Sequence, residues 1–457
     1  MADPLTVIGY SDLEGIYDEP DSIARLGSFL LARRDDDTLL VGAGDNTALG
    51  VASTVSPNEP GVELPTRPGR AIAAPFYRAV EPDVETFGNH DLDHGPADAR
   101  DLVREFPTGW TCGNLHTDDG LFGADAGVRP TRTFETGVGR VGVFGVTTTQ
   151  LPAITPNASS LRVTNPVDAA RTAAADLRER VDYVVGVSHC GRDDPAVAAA
   201  AGADLVVGGH LHERCAGIHD GTLLVRTGGT GVVEATTDGE YAFHDSIGTA
   251  PDRSLLDTYT RVRETLELDT VVAHVDEPVV RDRETLTTGE SRLGNFVADA
   301  YRVATDADVG VMHASSLRTG PPLVGDVSAG DVIAVSPFGN RLTTLSVSGT
   351  ALWKALAVAC PTAENDRWLL SVSGASVVWD DTTGAFEAVR IDGDPLAPED
   401  EYTVAVQEYF VVTETMPTLT EGAVQSYHGL QYDHLVAHAA NGGLAVGVED
   451  RIVRPKQ

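Results

Sequence analysis

DYVVGVSHC (182–190) and ADLVVGGHLH (203–212) are apolar runs that each stop in histidine, His189 in the first and His210 and His212 in the second. Runs this continuously apolar read as strands buried on both faces, the kind found in a largely parallel sheet. A strand that ends in a metal-binding side chain delivers it to the sheet rim, where α/β folds place their sites. The pattern recurs further out: LTVIGY (5–10) leads into SDLEG with Asp12 and Glu14, DTLLVGAGDN (37–46) delivers Asp45, and VETFGNHD (84–91) delivers Asn89, His90 and Asp91. Helical stretches fall between these runs. The rhythm is α/β, with five strand ends expected on one rim of a sheet.

At 457 residues the chain exceeds what one core holds, because single cores stop growing near ~250–300 residues, so two domains are expected. PDRSLLDTYTRVRETLEL (251–268) has apolar residues at helical spacing amid charge and reads as an exposed connecting helix. The expected division is a first domain over 1–250, a connecting helix over 251–270 and a second α/β domain over 271–457. The second should hold a helix at RLGNFVADAYRVAT (292–305), a glycine and proline loop at 319–322, a helix at ALWKALAVAC, and a strand-rich stretch to about 411.

Sixty-eight acidic residues against 33 basic ones give a formal net charge of −35, and Lys354 and Lys456 are the only lysines. Such carboxylate density repels itself in dilute salt and is screened in concentrated salt, which is the pattern of proteins from salt-accumulating halophiles. A polyanion is also a poor partner for double-stranded nucleic acid or an anionic membrane, so both are excluded as partners. Cys112, Cys190, Cys215 and Cys360 share no short spacing and read as reduced thiols, neither a disulfide framework nor a zinc ribbon. The N-terminus has no basic and apolar leader pattern, and the expectation is a cytoplasmic protein. The oligomeric state is open.

Carboxylates, one amide oxygen and three imidazoles are the ligand set of divalent ions such as Mn²⁺, Zn²⁺, Fe²⁺ or Mg²⁺. Two such ions held ~3.5–4 Å apart by a shared carboxylate clamp a phosphate and turn a bridging water into hydroxide near neutral pH. Asp45 is the candidate for the shared carboxylate.

The ordered series Asp12-x-Glu14, Gly44-Asp45, Gly88-Asn89-His90-Asp91, His189 and Gly209-His210-x-His212 resembles the calcineurin-like metallophosphoesterase signature. GNHDLDHG (88–95) is similar to its longer form in 5′-nucleotidases. The resemblance implies a four-layer αββα sandwich in the first domain. It implies one ion on Asp12, Glu14, Asp45 and His212, a second on Asp45, Asn89, His189 and His210, and His90 as the leaving-group acid. Asp91 is expected to orient His90 as in a His–Asp dyad. The family usually has Asp-x-His at the first motif, and this chain has Glu14 with no histidine before His90 to replace it. A carboxylate there lowers the net charge of the cluster and favours a harder ion, so Mn²⁺ is the expected metal. His94, His116 and His219 match no ligand position.

Downstream, ESRLGN (290–295), LRTG (317–320), SPFGN (336–340), SVSGA (371–375) and EYTVAV (401–406) resemble the 5′-nucleotidase C-terminal domain, an α/β domain that binds the nucleoside. By that resemblance Phe338 stacks on a base, Arg318 pairs with a phosphate or hydroxyl, His313 stands where the family has asparagine, and His438 is the second stacking ring. Asn441-Gly442-Gly443-Leu444 lacks the acid that the family uses on ribose. The whole reads as a phosphomonoesterase with two divalent ions and a small phosphate ester, a nucleotide first, as substrate. The alternatives are a phosphodiesterase acting on 2′,3′-cyclic nucleotides or nucleotide sugars, and a non-catalytic metal- or nucleotide-binding scaffold.

Overall fold

The computed structural model describes residues 4–47, 50–54, 72–106, 108–244, 248–362, 366–413 and 415–454, in two units, 1–266 and 267–457. In the first unit the apolar runs become strands of two six-stranded sheets. One has the order Tyr241–His244, Val232–Thr236, Thr6–Tyr10, Thr38–Gly42, Val84–Glu85, Gly109–Trp110; the other has Cys215–His219, Thr222–Arg226, Leu205–Gly208, Tyr183–His189, Gly139–Thr147, Thr131–Thr136. The central strands of both are parallel.

The sheets bury one face against each other. Val7, Val41 and Val84 from one and Val143, Val187 and Val207 from the other form a single core, and Gly9 is packed so closely that a Cβ there would lie 2.6 Å from Val207. Because side chains alternate along a strand, the intervening residues face outward onto helices. Tyr10 meets Phe76 of helix Ala74–Val80 with ring centroids 6.1 Å apart. On the other sheet, Phe144, Val184 and Val206 pack on Ala170, Ala174 and Leu177 of helix Pro166–Arg178 and on Val197 of helix Asp194–Ala201. Asn165 starts the first of these helices by accepting from the N–H groups of Val167 and Asp168, with Pro166 in its first turn. The result is the four-layer αββα sandwich.

The five site-bearing strand ends lie on two stacked sheets and not on one. Those delivering Asp12, Asp45 and Asn89 belong to the first sheet, and those delivering His189 and His210 to the second. Residues 251–270, read as an exposed connector, contain helix Arg253–Thr265, whose Leu255, Tyr259 and Val262 are buried in the first unit. The Tyr259 hydroxyl donates to the Ile72 carbonyl at 2.9 Å, and Leu255 fills the space over Gly27.

The second unit is built on a five-stranded sheet of order Leu370–Ser373, Val309–His313, Glu401–Gln407, Arg341–Ser348, Val424–Leu430. Val309, Val311, Val404 and Val406 join one core, and Met312, Ala405 and Leu342 join another, so both faces are covered. Helix Arg292–Thr305 is the one its sequence announces, capped by the Ser291 hydroxyl on the Gly294 N–H, and helix Gly349–Val358 covers the ALWKALAVAC stretch. No helix among the described residues is long and apolar enough to cross a membrane.

Candidate metal centre

The loops after the strands of the first unit bring seven candidate side chains to one rim. Atoms of Asp45, His189 and His210 lie within 4.8 Å of one another, as do atoms of Asp12, Glu14 and His212, and a third group joins Glu14, Asp45 and His90. Asp45 and Glu14 each belong to two groups. Of the three groups, the first holds His189 and His210, and the second holds His212.

Three of these positions have left-handed backbone: Asp12 with φ 54, Asp45 with φ 56 and His210 with φ 72. Such conformations are uncommon outside glycine and persist only where the surroundings over-determine them. Here the rim supplies the restraint. The Asp12 N–H donates to the Gly44 carbonyl at 3.0 Å, the His210 N–H to Asp12 Oδ1 at 3.0 Å, and the His90 N–H to Asp45 Oδ1 at 2.7 Å.

The fit to a cation rests on the buried atoms left over. His189 is fully buried and its Nδ1 bonds the Ala43 carbonyl at 2.7 Å, which makes Nδ1 the protonated nitrogen and leaves a lone pair on Nε2. That Nε2 lies 3.0 Å from Asp45 Oδ2, a place that either a proton or a cation between the two can fill. Asn89 Oδ1, also buried, has no hydrogen-bond partner among the described residues. A lone pair facing a carboxylate and an amide oxygen lacking a proton donor together suit a divalent ion. Without one, burial pulls His189 down but the Asp45 carboxylate outweighs it and holds the imidazole up at about 10. Burial, reinforced by His189, pushes its neighbour His210 down to about 4.

His90 is oriented by a residue other than the one expected. Its Nδ1 lies 2.8 Å from Asp93 Oδ2, and its Nε2 lies 3.6 Å from Glu14 Oε1. Burial lowers its basicity, but Asp93, Glu14 and Asp45 more than offset this and hold it up at about 10. The Asp91 carboxylate is engaged elsewhere. It turns back into the fold and accepts from the N–H groups of Asp45, Asn46, Thr47 and Gly88 and from the Thr47 hydroxyl, at 2.7–3.1 Å. The reading of Asp91 as the orienting acid is therefore corrected to Asp93. Residues His90–Leu92 form a 3₁₀ turn, in which side chains three apart eclipse and adjacent ones diverge.

In the second unit, Arg318 and Phe338 do meet: the guanidinium carbon lies 5.0 Å from the ring centroid, and both residues are half-buried. The Phe338 carbonyl is tied to the Gln431 amide at 3.3 Å. His313 ends its strand buried, with Nδ1 2.7 Å from the Ser315 hydroxyl and its ring 5.3 Å from Phe410, and burial pushes it down to about 4. His438 is placed differently. It stacks on Phe296 of the core helix at 5.6 Å and abuts Gly443, where a Cβ would lie 2.2 Å from its ring. It thus packs helix Gln431–Ala440 against helix Arg292–Thr305.

Fold and site together define the class: a two-domain α/β chain whose N-terminal αββα sandwich gathers candidate ligands for divalent ions at one rim. Residues 271–419 match the family described as 5′-nucleotidase, C-terminal domain. The chain is 27% identical over 375 residues to an apyrase of Anopheles gambiae, covering 70% of this chain and 64% of the apyrase. It is 26% identical over 427 residues to an endonuclease of Bacillus subtilis, covering 83% of this chain and 33% of that protein. The chain therefore spans between one third and two thirds of the length of these curated relatives. Among solved structures, a 5′-nucleotidase precursor from Thermus thermophilus superposes with a TM-score of 0.80 at 19% identity, over 100% of both chains, which establishes the shared two-domain fold.

Proposed function

We propose that the chain is a metal-dependent phosphoester hydrolase that acts on a phosphomonoester, a nucleotide in first place. The observation that carries this reading is the placement of the His90–Asp93 pair against Asp45 and Glu14, because a metal-storing or scaffolding protein has no use for a positioned acid beside its ligands. Asp12, Glu14, Asp45 and His212 would hold one divalent ion, and Asp45, Asn89, His189 and His210 the other. When bound, such ions clamp phosphate oxygens and lower the pKa of water. His90, kept protonated by Asp93, gives its Nε2 proton to the departing oxygen, and Asp93 holds the ring in that tautomer. Arg318 and Phe338 form the nucleoside end of the reading, a cation beside a stacking face.

Glu14 supports Mn²⁺ over Zn²⁺, as an oxygen ligand where a nitrogen is more usual. The net charge of −35 and the two lysines support a protein that works in molar salt. Phosphodiester hydrolysis is the second reading, favoured by the match to an endonuclease over 83% of this chain. The deciding experiment is a panel of p-nitrophenyl phosphate, its bis ester, nucleoside mono-, di- and triphosphates and 2′,3′-cyclic nucleotides, run with Mn²⁺, Zn²⁺ and Mg²⁺ at low and molar salt. Turnover of monoesters above diesters, highest with Mn²⁺ and in molar salt, is expected. No turnover of any member by metal-loaded protein would sink the enzyme reading.

A further inference from the structure

Glu85 lies outside both candidate ion groups and outside the His90 pair, yet it is fully buried. Its strand sets its direction: Val84 faces the core between the sheets, so Glu85 faces the helices. There the Tyr10 and Tyr77 hydroxyls donate to Oε1 at 2.5 and 2.7 Å, and Asn46 Nδ2 donates to Oε2 at 3.0 Å. Gly42 makes room, since a Cβ on it would lie 2.0 Å from the carboxylate. Burial pushes the Glu85 carboxyl up to about 8 even with these hydrogen bonds. An apolar side chain of similar volume fills such a place at lower cost unless the acid has something to hold.

What it holds is the neighbour of Asp45. Asn46 is fixed at three points: its N–H donates to Asp91 Oδ1 at 3.1 Å, its carbonyl accepts from the Tyr17 hydroxyl at 2.6 Å, and its amide donates to Glu85. These restraints fall on the turn where Asp45 has left-handed φ, and Asp45 lies both in the group with His189 and His210 and in the group with Glu14 and His90. We infer that Glu85 is a positioning residue for the metal centre: through the Asn46 side chain it holds the Asp45 turn in the one conformation that serves both ions. The inference rests on the reading of Asp45 as the shared ligand.

The test is calorimetric titration of the full chain with Mn²⁺, alongside thermal unfolding in chelator. Glu85→Met and Asn46→Ala are each expected to weaken Mn²⁺ binding by about 10–100-fold, the usual effect of losing an outer-shell partner, and melting in chelator reads separately the stability that Glu85→Met loses by stranding the Tyr10 and Tyr77 hydroxyls. Glu85→Gln should restore near-wild-type affinity. Its oxygen still accepts from both tyrosines, and its N–H can donate to Asn46 Oδ1, an atom with no other partner among the described residues, once the Asn46 amide flips. Wild-type affinity in Glu85→Met and Asn46→Ala overturns the inference, and so does a Glu85→Gln protein no better than Glu85→Met. Should Glu85→Met fail to fold, Asn46→Ala decides alone, because it leaves the Tyr10–Glu85–Tyr77 cluster in place. A wild-type protein that takes up no Mn²⁺ overturns the metal reading and this inference with it.

Discussion

The two candidate ion groups share a rim but differ in how they are enclosed. Around Asp45 the side chains are sealed, with His189 0% and Asp45 2% exposed. Around Asp12 they open outward, since Asp12 is buried but His212 is 42% exposed. A sealed group has its ligands positioned by the fold before any ion arrives, whereas an open one completes its set with a side chain that solvent reaches. The sealed group is therefore expected to hold its ion tightly and the open group to exchange.

Asp45→Ala attacks the residue proposed as the ligand common to both ions and carries the largest expected effect: metal content measured by atomic absorption falls from two ions to none, with all hydrolysis lost. A tightly retained ion would break the shared-ligand claim. Next is His90→Ala, expected to lower kcat by about 10²–10⁴-fold with metal content unchanged. Loss of metal in that variant would make His90 a ligand and merge the chemistry with the sealed group. Asp93→Asn should lower kcat less than His90→Ala and leave unfolding unaffected. Asp91→Ala, by contrast, should destabilise the fold by at least about 2–3 kcal/mol, because it strands buried N–H groups. His212→Ala should weaken only the outer ion, about 10–100-fold, so that titration separates into one tight and one weak phase. Equal weakening of both phases would show that enclosure does not set affinity.

The smallest effect concerns pH. Glu85 titrates near 8 in the folded chain and near ~4.3 when unfolded, so the folded state binds the extra proton between those values. Its stabilising contribution is complete below the unfolded value and is lost as pH rises through about 8. Stability of metal-free protein should therefore decline across this window by at most about 1.4 kcal/mol per pH unit from this group. Denaturant melts of Glu85→Gln should show a flatter slope, and an unchanged slope would remove Glu85 from the account.

How much of this was legible in sequence depends on which force places each residue. Asp12, Asp45, His189 and His210 follow apolar runs, and a buried strand announces both itself and its end. That two sheets share the rim was not readable from the runs alone, because a central strand looks the same in either. Asp91 is adjacent to His90 in sequence, but a 3₁₀ turn brings the third residue onward, Asp93, under the ring. The signal was present in GNHDLDHG, as an acid at that spacing. Glu85 gave no signal, since one acid inside an apolar run looks like a break until Tyr10, Tyr77 and Asn46 are seen around it. His438 rests on the resemblance alone, and its packing on Phe296 is a contact that no sequence spacing announces. Helix Arg253–Thr265 is legible from its apolar spacing, but its charges suggest exposure, and the apolar stripe of Leu255, Tyr259 and Val262 is buried instead.

The left-handed backbone at Asp12, Asp45 and His210 has a consequence for how such a chain can change. Each position gives up roughly 1–3 kcal/mol of conformational preference that glycine would not. Substituting glycine there relieves that strain while erasing the ability to bind ions, an antagonism between durability and catalysis that the lost Asp12 and Asp45 acceptors of the His210 and His90 N–H groups offset in part. A homologue that keeps this sandwich but has abandoned hydrolysis is free to relax, and glycine at these three positions is the mark it would be expected to carry.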